Sequence, residues 1–140
     1  MQCFRNWFYG SPDVLVDFIF EQGNLFITIK NTGTRPALNV QTTFNQPIKG
    51  LNGTKIISDL YLFKNIEYLA PQKEIRTFVD SASAYFERKE PLRITLNLQY
   101  GDERGKRFRK MIKHDLEIYR EIVYLLPGLE LQDKRFIGND

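Results

Sequence analysis

The sequence predicts a mainly β domain: an antiparallel β-sandwich of about seven strands with one short helical excursion. Apolar residues recur at every second position in several separate segments, the signature of half-buried strands. Clusters of Asn, Gly and Pro divide those segments, and the run of ten-residue amphipathic helices that a parallel α/β sheet would need is missing. A small barrel is the structural rival, because side-chain periodicity does not say how sheets curve or pair.

Val14, Val16, Phe18 and Phe20 alternate with Leu15, Asp17 and Ile19, and predict the first strand. Gln22, Gly23 and Asn24 break it, and Leu25, Ile27 and Ile29 begin a second, so residues 14–30 read as an antiparallel hairpin. From Asn31 to Pro36 runs a strong turn signal, since Asn and Gly tolerate positive φ and Pro36 holds Arg35 extended. A third strand follows, with Leu38, Val40, Thr42 and Phe44 expected in the core. Pro47, Gly50, Asn52 and Gly53 form a loop, and residues 55–60 are at best an edge element. A loop or single turn leads to a short strand at Ile66–Leu69, then a turn at Pro71, then a strand from Glu74 offering Ile75 and either Phe78 or Val79.

Asp80 or Ser81 is placed to cap a short helix over Ala82–Glu87. Leu92, Ile94, Leu96, Leu98 and Tyr100 alternate with polar residues and give the clearest strand in the chain. Gly101–Gly105 is its hairpin turn, and 106–113 the returning partner, with Phe108 and Ile112 on one face and Met111 on the other, so that a bulge or an outside contact is needed to place Met111. Residues 115–126 satisfy both a strand period (Leu116, Ile118) and a helix period (Leu116, Tyr119, Val123), and both readings stay open. Residues 1–12 read as an aromatic arm, 13–126 as the sandwich and 127–140 as a tail.

At 140 residues and 42% apolar composition, the chain suits one domain with a core that needs no disulfide or metal. One cysteine, Cys3, and one histidine, His114, leave no disulfide framework, no ordinary metal site and no cofactor motif. Catalysis finds little support: Asp13 and Asp17 read as solvated edge charges, and His114 lacks a positioning motif around any serine. The domain is therefore expected to be noncatalytic. No run of about eighteen apolar residues occurs, so the chain as given is expected to be soluble, while its aromatic opening leaves room for a membrane-proximal place in a longer protein.

Residues Gly23–Gly33, Pro36–Val40, the Pro71 turn before Glu74–Arg76, and Leu92–Tyr100 together resemble modules of the CARDB class and related immunoglobulin-like accessory domains. In such modules a central strand ends in an Asn-x-Gly turn and the next begins at a Pro-Ala or similar start. The resemblance implies an immunoglobulin-like sandwich with a binding or spacer role toward a protein or a neighbouring domain, a homo-oligomer included, and carries over no catalytic residue.

Two surfaces stand out. The net charge is only +3, but six cations lie close together: Arg104, Lys106, Arg107, Arg109, Lys110 and Lys113. They form a candidate anion-binding patch for nucleic acid or anionic membrane headgroups. On a strand, Arg107, Arg109 and Lys113 point one way and Lys106 and Lys110 the other, and a charged edge that resists aggregation explains them as well. The second is a candidate protein-binding surface of aromatic residues, with Trp7, Phe8 and Tyr9 on the arm and Tyr85 and Phe86 on the helical excursion.

Overall fold

The structure, a computed structural model, describes residues 10–125. Two antiparallel sheets pack face to face. The first takes β1 (Val14–Glu21), β2 (Asn24–Asn31) and β7 (Glu74–Ser81) in the order β1-β2-β7, and the second takes β3 (Ala37–Phe44), β6 (Ile66–Leu69), β8 (Arg93–Gly101) and β9 (Arg107–Asp115) in the order β6-β3-β8-β9. A two-stranded flap, β4 (Lys49–Gly50) and β5 (Lys55–Ile56), lies beside β7. The described residues also hold three helices, α1 (Tyr61–Lys64), α2 (Ala82–Glu87) and α3 (Glu117–Leu125), with a 3-10 turn at Ile57–Asp59 before α1. The domain is mainly β, as expected, and its two separate sheets make a sandwich rather than one closed barrel. The aromatic arm's Trp7, Phe8 and Tyr9, and the tail from 127, lie outside the described residues.

Alternation builds both layers. Val14, Val16 and Phe18 of β1 face Ile94, Leu96, Leu98 and Tyr100 of β8 across one core, and all seven are essentially inaccessible. Burying each large side chain contributes about 1.5–3 kcal/mol. The β1–β2 connection is a two-residue turn in which Gln22 and Gly23 have φ of 51° and 79°, the paired positive values of a type I′ hairpin.

Parity fails at two places. Leu38 was expected inside, but Ala37 is the buried residue there and Leu38 is only half-buried. Asn39 adopts φ 51°, and the β3–β8 register shifts between Leu38 and Gln41. That irregularity inserts one residue, so Val40 and Thr42 return to the interior. A second irregularity lies opposite Leu25 and Phe26, leaving Val79 buried and Phe78 outside.

The open ends of the sandwich are plugged by helices. Phe63 of α1 packs edge-on against Phe44 with centroids 5.0 Å apart. Tyr85 and Phe86, read as recognition aromatics, are core residues instead: they are 0% and 8% exposed. With Ala82 they occupy positions i, i+3 and i+4 of α2 and so share its inner face. Ser81 caps that helix by accepting from the Ala84 N–H at 3.2 Å, and the Tyr85 hydroxyl donates to the Pro91 carbonyl at 2.7 Å. Burial pushes the Tyr85 phenol well above its ordinary range. Of the two readings left open for 115–126, the helix holds: Leu116 and Val123 of the 116–125 segment are buried at helical spacing.

One side chain bonds four backbone groups in three segments. Asn31, fully buried at the end of β2, accepts through Oδ1 from the Asp13 and Gly33 N–H groups at 3.1 and 3.0 Å. Its Nδ2 donates to the Arg35 and Leu69 carbonyls at 2.8 and 3.1 Å. The start of β1, the approach to β3 and the end of β6 are thereby held together across both sheets. Close approach makes Gly33 obligatory, since a Cβ there would lie 2.3 Å from the Ser11 carbonyl oxygen. Asn31→Ala should cost at least about 3 kcal/mol by stranding several buried donors and acceptors, with Gly33→Ala comparably damaging, whereas Asn97→Ala on the exposed face should stay within about 0.5 kcal/mol. Urea unfolding measures all three, and equal stabilities for Asn31→Ala and Asn97→Ala would contradict this role.

Candidate binding surface

β9 pairs with β8 in uninterrupted register from Gly101↔Arg107 to Arg93↔Asp115. No bulge is present, so Met111 keeps its parity and stands outside, 63% exposed. The strand has two unlike faces. Phe108, Lys110, Ile112 and His114 point toward the first sheet, while Arg107, Arg109, Met111, Lys113 and Asp115 point to solvent.

The inward polar residues have a specific task. Lys110 Nζ donates to the Val14 carbonyl at 2.9 Å and pairs with Asp13. His114 Nε2–H donates to the Val16 carbonyl at 2.9 Å, its ring packs edge-on against Phe18 at 5.1 Å, and its Nδ1 lies 3.8 Å from Asp17. It therefore meets β1. From α3, the Tyr119 hydroxyl donates to the Phe18 carbonyl at 3.3 Å. Three alternate carbonyls along the outer edge of β1 are thus occupied by side chains from the opposite side of the sandwich. The Val14 N–H on the same edge donates to the Tyr100 hydroxyl at 3.3 Å.

The six-cation patch is accordingly divided. Arg104 sits on the hairpin turn and donates to the Gly10 carbonyl at 2.8 Å, close to Asp102. Lys106 lies over the Phe108 ring at 5.2 Å. Lys110 is spent on β1. Arg107, Arg109 and Lys113 share the outer face and take part in no ion pair among the described residues. The pairing register adds Arg93, a cation that sequence spacing did not connect to them. Asp115 is the one acid among the outward positions of β8 and β9, and its carboxylate accepts from the Glu117 N–H at 3.0 Å at the start of α3. Beside Arg109 lies a shallow depression of about 320 Å³, lined also by Thr43, Asn97, Gln99 and Met111.

The outer face of the other sheet carries an ion-pair row of its own. Arg76 bonds Glu21 at 2.6 Å and Glu74 at 3.4 Å and lies 5.4 Å from the Phe26 ring centroid. Thr28, 4% exposed, donates to Glu74 at 2.6 Å. Among the described residues no group of three or more His, Cys, Asp or Glu is placed to hold a metal ion, and no helix is long and apolar enough to cross a membrane.

Residues 9–120 match a family model whose description is Domain of unknown function (DUF8453). The chain belongs to that family. The matched stretch runs from just before β1 into α3, so every strand of both sheets lies within it. No curated protein matches the chain.

The Thr28 hydrogen bond, followed by Arg76, holds the Glu74 carboxyl below its ordinary value of 4.5. A lowered folded-state value means that Glu74 contributes to stability above about pH 4.5, and that the contribution is lost as pH falls through the lowered value. Thr28→Val should raise the Glu74 pKa, read by NMR titration of its side-chain carboxyl, and an unmoved titration would remove Thr28 as the main cause.

Proposed function

We propose that this domain is a noncatalytic, immunoglobulin-like accessory module that holds a protein partner against the outer face of β8 and β9. The strand order supports the immunoglobulin-like reading. β1, β2 and β7 correspond to strands A, B and E of such a sandwich, and β3, β8 and β9 to C, F and G, with β6 beside β3. The observation that carries the binding reading is the outer face itself, where Arg93, Arg107, Arg109 and Lys113 surround an exposed Met111 with no ion pair of their own. Arg and Met are enriched at protein interfaces, where a wide and shallow surface is the common shape.

Placing a photo-crosslinking side chain at position 111 in the full chain, in its own cells, tests this. Discrete protein adducts should form from position 111, fall by about tenfold on adding Arg109→Glu, corresponding to about 1.4 kcal/mol, and not form from position 61 on α1. Equal labelling from 111 and 61 would contradict the reading. A second reading, contact with nucleic acid or anionic headgroups through residues 104–113, draws on the same unpaired cations. With Arg107, Arg109 and Lys113 as the outward set, binding to single-stranded RNA or phosphatidylserine vesicles would weaken with salt at a log–log slope of about −2 to −3, and binding unchanged by alanine at all three would dismiss it.

A further inference from the structure

We propose that β9 accepts an extended acidic segment of a protein partner as an added strand at the open end of the four-stranded sheet. This rests on the reading of the outer face as a protein-binding surface and specifies how the partner docks.

Backbone geometry comes first. The Asp102 N–H donates to the Lys106 carbonyl at 2.9 Å and the Leu116 N–H to the Leu92 carbonyl at 2.8 Å, bracketing the β8–β9 ladder at both ends. Antiparallel pairs alternate between bonded and non-bonded. The even-numbered residues of β9 therefore bond to β8, and Arg107, Arg109, Met111, Lys113 and Asp115 turn their N–H and C=O groups toward the free edge. Among the described residues no strand pairs there. The edge is nine residues long and free of bulges.

The remaining edges are less available. β1 is sealed by Lys110, His114 and Tyr119. β7 has its Val79 carbonyl taken by the Leu51 N–H at 2.9 Å, and β6 is only four residues long. An added strand at an edge draws affinity from main-chain hydrogen bonds and specificity from alternate side chains.

Charge complementarity selects the occupant. Side chains directly opposite on neighbouring strands have Cβ atoms about 4.5–5.5 Å apart, and like charges there are destabilising. Two copies of β9 paired antiparallel over their full length, centred on Met111, would set Arg109 against Lys113 in both halves next to the centre, with Arg107 meeting only the Asp115 carboxylate that already accepts from the Glu117 N–H at the strand's end. A segment running antiparallel to β9 instead meets Lys113, Met111, Arg109 and Arg107 in turn. Its best outward residues are acid, apolar, acid and acid at every second position. Residues 1–9 of this chain hold Arg5 and no acid, so the aromatic arm lacks that chemistry.

The test uses the full chain and a synthetic peptide, Thr-Glu-Thr-Val-Thr-Glu-Thr-Glu-Thr, with a second version N-methylated at the Glu and Val positions that face β9. Methylation removes the donors and keeps every side chain. The unmodified peptide should bind by calorimetry and shift the amide resonances of residues 107–115, while N-methylation and Arg109→Glu should each weaken it at least about tenfold. Equal binding of both peptides would overturn strand addition while leaving the surface reading intact. Absence of binding alongside persistent crosslinks from position 111 would overturn it in the same way, as would self-association of the chain that excludes the peptide. Absence of binding together with absence of crosslinks would end both readings.

Discussion

The organisation of this domain depends on a bridge between two strands in different sheets. β1 ends its own sheet with outward carbonyls at Val14, Val16 and Phe18, and a bare edge of that kind invites pairing with another chain. Lys110, His114 and Tyr119 answer those carbonyls one by one. Two of the three lie on β9, so the bridge also fixes which way β9 faces. Once Lys110 and His114 are held inward, a period of two places Arg107, Arg109, Met111 and Lys113 outward. One edge is closed by the same side chains that leave the other edge basic and open.

At the loop end of the sandwich, Asn31 performs a comparable service for the backbone. A buried amide with all its capacity used is worth keeping, because each stranded partner would cost about 1–3 kcal/mol. At the opposite end, α2 and the segment that enters α3 close the interior with Tyr85, Phe86, Leu116 and Val123. The ion pairs of Arg88 with Asp80 at 2.6 Å and Glu90 at 3.0 Å, together with the Asn52 N–H to Asp80 at 2.8 Å, tie α2 to the flap of β4 and β5. The Glu21–Arg76–Glu74 row on the outer face of the opposite sheet is internally paired, in contrast to Arg93, Arg107, Arg109 and Lys113.

Much of the layer structure was legible in alternation alone. Val14 to Phe20 and Leu92 to Tyr100 show it because each strand has one buried and one wet face. The order of elements through the short strand at Ile66–Leu69 and the Ser81-capped helix also followed from local signals. Leu38 misled because a positive φ at Asn39 reverses parity, and nothing in a pattern of side chains announces an irregularity one residue long. Tyr85 and Phe86 looked like surface aromatics on an excursion, yet Ala82, Tyr85 and Phe86 already had the i, i+3, i+4 spacing of a helix face turned inward. The split of the basic cluster was readable from parity. The destination of Lys110 and His114 was not, since it requires knowing that β1 and β9 lie side by side, and Arg93 joins the outer face only through pairing register.

Amide hydrogen exchange along β9 in the full-length protein tests the central claim most directly. The account predicts an alternating record: slow exchange at Phe108, Lys110, Ile112 and His114, whose N–H groups bond to β8, and fast exchange at Arg109, Met111 and Lys113, whose N–H groups face the open edge. Uniform protection across 107–115 would mean that the edge is already covered, and would contradict the claim.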